Sequence, residues 1–239
     1  MNLHKIKLCT DETDGIPQQD YNVTTNNGIQ VFFKDLEQHL IEQIEEADVV
    51  VGCVAWLTSK PILKALGKKE AVAIVVQKED FLRPDIDSPN NWRNKLYELY
   101  WNLPYGLTRY DSVLEEFDTK LYNLSFAGDP GIESIRCVGN HNSKNVVAFP
   151  RSHHKFLIFC KTKVHDTPYD FSLEWKPYKV WTGSYNLTQN ANMSFENAIS
   201  IKHKTVVKAY FQEWAQVEAL SEPLNWDSEW CSPEWRIGT

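Results

Sequence analysis

The stretch RSHHKFLIFC, residues 151–160, sets His153 two residues before Lys155 at the mouth of an apolar run. A neutral imidazole is a nucleophile and proton carrier near neutral pH, and an ammonium beside it stabilises developing negative charge. The pair is therefore a candidate for nucleophilic or acid–base work on an anionic group. In an extended segment residues i and i+2 share a face, so His153 and Lys155 project together while His154 points to the opposite side. On this stretch alone, solvated polar residues at a strand end account for all three. A second stretch, WTGSYNLTQNANMSFENAISI (181–201), alters that reading. Gly183, Ser184 and Asn186 fall at a strand-to-helix junction, where backbone N–H groups, a hydroxyl and an amide can cradle an anion's oxygens. Glu196 follows at the start of another strand. A carboxylate that reaches a histidine ring nitrogen fixes the tautomer and leaves the other nitrogen free to attack.

The elements that must hold these residues read as an α/β chain. VFFKDLEQHLIEQIEEA (31–47) has Phe33, Leu36, Leu40, Ile41 and Ile44 at helical spacing, and predicts an amphipathic helix. The β-branched run 48–56 predicts a buried strand. TSKPILKALG follows with a Thr/Ser cap, an early proline and a terminal glycine, and predicts a short helix; EAVAIVVQ (70–77) predicts a second buried strand. This alternation implies parallel pairing with a crossover helix on the sheet. Helices are expected near 91–101 and 111–122, strands at 133–139, 145–149, 153–160, 179–184 and 196–203, and a closing helix at 205–220. The fold class is thus α/β, a mixed β-sheet flanked by helices on both faces. One domain spans 1–239, with an N-terminal arm (1–29), insertions at about 78–130 and 161–178, the latter a hairpin or surface loop, and a Trp-rich tail (222–239) laid across the surface.

Composition narrows the partners. The net charge of −7 weighs mildly against a nucleic-acid ligand. Yet Arg136, Lys144, Arg151, Lys155, Lys161, Lys163 and four histidines crowd residues 136–165 with no acidic residue among them, and this reads as a local anion site. Five cysteines without a CxxC pair indicate neither a disulfide framework nor a zinc site, and no HExxH occurs. No metal and no cofactor are therefore expected. The N-terminus has no apolar stretch long enough for a signal peptide and no segment approaches spanning length, so a cytoplasmic chain without stable membrane association is expected.

Together, HxK and GSxN with the trailing SFEN segment resemble the phospholipase D superfamily. The matching positions are His153, Lys155, Gly183, Ser184 and Asn186, with Glu196 in the place of the family's downstream glutamate; the TGSYNLT and ENAISI segments look like its small nucleases. The family's aspartate position is Cys160, and the spacer to the glycine is lengthened by 161–178. The resemblance implies an α-β-α sandwich and metal-independent, two-step phosphodiester cleavage. His153, Lys155, Asn186 and Glu196 would be catalytic, and Ser184, Gly183 and Arg151 would bind substrate. It also requires two HxK histidines per site. The chain has one such motif, so a homodimer with the motifs facing each other is expected. His154 is assigned to the fold as a hydrogen-bonded core residue. The substrate expected is DNA or RNA. Two other readings are a lipid phosphodiesterase or phosphatidyl transferase, for which the tryptophans could face a membrane, and a catalytically silent nucleic-acid-binding member, motivated by Cys160.

Overall fold

The computed structural model describes residues 20–79, 91–108, 112–113, 125–126, 131–139, 151–167, 170–224 and 235–236. In chain order the elements are β1 (Val23–Thr24), β2 (Ile29–Phe32), α1 (Leu36–Glu46), β3 (Val49–Val54), α2 (Lys60–Leu66), β4 (Ala71–Gln77) and α3 (Trp92–Trp101). Short strands follow: β5 (Leu107–Thr108), β6 (Ser112–Val113), β7 (Ser125–Phe126) and β8 (Gly131–Ile132). Then come β9 (Ile135–Val138), β10 (Lys155–Thr167), β11 (Asp170–Gly183), β12 (Ala198–Ile201), α4 (Lys204–Ala219), β13 (Glu222–Pro223) and β14 (Trp235–Arg236).

One mixed sheet runs in the order β1-β2-β12-β11-β10-β3-β4-β9-β13, with β6 beside β11. β3 and β4 are parallel, as the helix, strand, helix, strand order predicts, and β9 adds in parallel to β4. β10 is antiparallel to β3 and β11, and β11 is antiparallel to β12 but parallel to the short β6. β3 has no polar side chain, and β4 has none before its terminal Gln77, because both faces are covered. Leu36, Leu40 and Ile44 of α1, Ile62, Leu63 and Leu66 of α2, and Leu96 of α3 join Val50, Val54, Ile74 and Leu157 in one core layer. Val207, Phe211 and Trp214 of α4 join Val51, Cys53, Val75, Phe156 and Ile158 in the other. Alternate residues of β10 thus enter opposite layers. Gly52 lets β3 and β10 close up, since a methyl group there would overlap Phe156 O and sit 3.0 Å from Leu157 Cα. Ser59 caps α2 by accepting from Ile62 N (3.4 Å) and ties it to α1 by donating to Glu37 (2.7 Å).

Several boundaries differ from the sequence reading. The expected 31–47 helix starts only at Leu36. Residues 29–32 pair with β12 instead, and Asp35 in the left-handed region (φ 52°) separates strand from helix. That strand hairpins with β1, so the end of the stretch read as an arm joins the sheet. Ser112 and Val113 of the expected 111–122 helix form a strand beside β11; the rest of that helix, and the 145–149 strand, lie outside the described residues. The 161–178 insertion is a hairpin, one of the two forms expected, and it continues β10 and β11, paired from Phe156–Thr182 out to Thr167–Asp170. Of the tail, Glu222 and Pro223 pair with β9, and residues 235–236 pair with β7. Among the described residues no helix is long and apolar enough to cross a membrane.

Candidate active site

The carboxyl ends of β3 and β4, the start of β10, the end of β11 and the approach to β12 lie at one edge of the sheet. In open α/β sheets this edge collects ligands, because side chains and free backbone groups emerge there from a rigid core. Residues 151–154 precede β10, so His153 lies outside the strand. The ladder nevertheless reaches one residue further than the strand: Ala55 N donates to His154 O at 2.8 Å. Strand alternation therefore still orients both histidines. Lys155 Nζ lies 3.1 Å from both ring nitrogens of His153 and donates to His153 O at 3.0 Å. His154 turns to the opposite face, where its Nε2 meets Glu213 of α4 at 3.1 Å and its ring stands edge-on to Phe156. It is not the core residue expected: 41% of its side chain stays exposed, because α4 presents a polar residue at that point.

Register puts the second stretch alongside. Phe156 faces Thr182 across the β10–β11 pair, so the next step toward the edge brings Lys155 beside Gly183. Gly183 has no room for a side chain: a Cβ would overlap Asn197 O and lie 2.7 Å from Ala198 Cα. Ser184 N donates to Asn197 O at 3.1 Å. Ser184 Oγ donates to Glu196, and accepts from Asn197 N (3.1 Å) and Nδ2 (3.3 Å). Asn186 has an enclosed Oδ1 without a partner among the described residues. The junction expected to open a helix leads only to a 3₁₀ turn, Asn190–Met193.

Glu196 corrects a further expectation. It is bonded to Ser184 rather than to a histidine ring, because the close β11–β12 approach at Gly183 draws the two together. Its charge still reaches Lys155 and opposes the fall in that lysine's pKa caused by burial. The Lys155 charge, followed by burial and Arg151, holds His153 below the ordinary imidazole value of 6.5; Glu79 works against them. Arg151 is engaged by Glu79 at 3.2 Å.

The cationic segment does not form one surface. Arg136 is 1% exposed and bound to Glu133, Glu218 and Ser221, while Lys161 is held by Asp48. Among the described residues Arg151, His153 and Lys155 are what it contributes at the site; Lys144 lies outside them. Two residues at this edge escaped the sequence reading. Asn197, which brackets the Ser184 hydroxyl, was signalled only by its place beside Glu196. Gln77 ends an otherwise apolar strand, and accepts from Ser152 N at 2.6 Å.

No family model matches the chain. Uncharacterized protein L381 of Acanthamoeba polyphaga mimivirus is 34% identical over 236 residues, covering 95% of this chain and 75% of that protein. Among solved structures the fold is similar to Nuc from Salmonella typhimurium, a phospholipase D family member (TM-score 0.46, 16% identity, 81% of this chain and 95% of that one). It is also similar to NucT from Helicobacter pylori (TM-score 0.44, 14% identity, 79% and 95%).

Proposed function

The chain belongs to the family of the mimivirus protein L381, and from that premise and its own site we propose that it is a phosphodiesterase of the phospholipase D superfamily, cleaving DNA or RNA. The observation that carries this is the convergence of His153, Lys155, Ser184 and Glu196, from segments some thirty residues apart or more, on one open sheet edge. A histidine kept neutral by an adjacent ammonium is a ready nucleophile, and that ammonium also balances charge gathering on phosphorus.

In the proposed reaction a ring nitrogen of His153 attacks phosphorus, forming the P–N bond as the P–O bond to the leaving group breaks. His153 of a second copy, entering as the imidazolium, protonates the leaving oxygen and becomes neutral. The same group then takes a proton from water, whose oxygen attacks phosphorus and releases His153. Asn186 faces one non-bridging oxygen, and Ser184 donates to another once its hydroxyl turns from Glu196, with Asn197 holding that hydroxyl in place and Gly183 allowing the backbone approach. Arg151, once exchanged from Glu79, meets the flanking phosphate. The site takes shape between two copies because each chain brings one HxK motif.

Incubation with plasmid, single-stranded RNA and phosphatidylcholine vesicles in excess EDTA tests the reading. Cleavage of nucleic acid alone is expected; lipid turnover would move the substrate to phospholipids, and no product would mark a silent binding protein. The charge environment gives a second expectation. Removing the Lys155 charge by Lys155→Met relieves the largest penalty on the imidazolium, so the His153 titration midpoint rises toward the ordinary value of 6.5. NMR titration of the ring reads this without reliance on turnover, and an unmoved midpoint would refute the coupling.

A further inference from the structure

β4 reads AVAIVVQ, and its terminal Gln77 is 1% exposed. A buried carboxamide needs both a donor and an acceptor for its two ends. Gln77 Oε1 accepts from Ser152 N at 2.6 Å, and Nε2 donates to Lys78 O at 3.1 Å. The topology makes the first bond unusual. β4 and β10 are not neighbours, since β3 lies between them. Gln77 therefore reaches across the carboxyl end of β3 to a segment that no ladder would bring to it. Three residues of that segment are tied to the ends of β3 and β4: His154 O by Ala55 N, Ser152 N by Gln77, and Arg151 by Glu79. His153 sits between two of these anchors, outside regular structure, with its main chain held on both sides.

We propose that Gln77 is a positioning residue for His153: its carboxamide fixes the backbone one residue before the nucleophile and so aims the imidazole at the phosphorus. The inference rests on the assignment of His153 as nucleophile. Leucine matches the volume but leaves Ser152 N and Lys78 O unpaired, and asparagine falls one methylene short of Ser152. Displacement of a reacting group by an ångström costs on the order of a hundredfold in rate.

The test compares Gln77→Leu and Gln77→Asn with Gln43→Leu, which removes another buried amide, the partner of Ser200 Oγ at 2.8 Å, away from His153. At a temperature where all variants are folded, both Gln77 variants are expected to lose about a hundredfold in kcat with KM within about threefold of wild type, while Gln43→Leu keeps wild-type kcat. The imidazole resonances of His153, identified by their loss in His153→Ala, are expected to shift in the Gln77 variants alone. Wild-type kcat and an unmoved His153 signal in Gln77→Leu would overturn the proposal. If the wild-type protein cleaves no phosphodiester, the enzymatic reading falls, and the resonance still decides whether Gln77 holds His153.

Discussion

His153→Ala is expected to abolish turnover, with a fall in kcat on the order of ten-thousandfold or more, while His154→Ala keeps kcat within about threefold. The two residues are adjacent, share a chemistry and flank the same strand start. What separates them is the direction that the β3–β10 ladder gives each side chain. His153 lies with the Lys155 ammonium at the open edge. His154 lies on the α4 side against Glu213, where both partners are well exposed, so its loss costs no more than about 1 kcal/mol. Denaturation midpoints and initial rates of both variants check this, and an active His153→Ala beside a dead His154→Ala would reverse the assignment. The same variant tests the shared site. When His153→Ala and wild-type protomers are reassorted, a site that needs the histidine of both copies loses activity as the square of the wild-type fraction. A linear fall would mean that each chain works alone.

Much of this arrangement is legible in the residues. Alternating helices and apolar strands between 31 and 77 dictate the parallel crossover, since only a sheet covered on both faces tolerates strands as apolar as Val49–Val54 and Ala71–Gln77. HxK and GSxN announce themselves by type and spacing. The start of α1 misleads because Phe33 fits the helical period, yet the period carries no information about the left-handed Asp35 that ends β2. The 161–178 stretch, read as a hairpin or a surface loop, is a hairpin, though one whose pairing begins inside the core strands. Pro177 and the charged residues around it look like a turn, but Pro177 pairs with Cys160 next to the register shift between Phe159 and Cys160, where a missing N–H is tolerated. Nor can a sequence say which partner Glu196 chooses. Ser184 wins through the backbone closeness that Gly183 permits, a tertiary distance with no local signal. The Gln77 clamp escapes for the same reason, because it joins strands separated by a third.

Cys160→Asp restores the residue found in the related motif and is expected to harm the protein, costing about 3–5 kcal/mol without raising activity. Cys160 is fully buried in the core layer facing α4, paired across to Val49 and Pro177. It lies roughly 17 Å along the strand from Lys155, too far to touch the reacting phosphate. The polar demand at this end of the strand is already met from the neighbouring one. Asp48 accepts from Lys161 Nζ at 3.0 Å and Thr162 N at 3.1 Å, while its own N–H donates to Cys160 O. Burial, and then the Asp48 charge, push the Cys160 thiol well up, and the same two influences would act on a carboxyl placed there. A carboxyl whose folded-state pKa is raised above the unfolded value of about 3.9 stabilises least once the unfolded chain ionises, so the penalty must grow as pH rises from about 4. Urea denaturation of Cys160→Asp against Cys160→Ala at pH 4.5 and 7 reads that slope directly. Equal stability at both, or a gain in turnover, would mean that the aspartate is missing from the machinery; the expected loss means that the thiol is a packing choice made possible by Asp48.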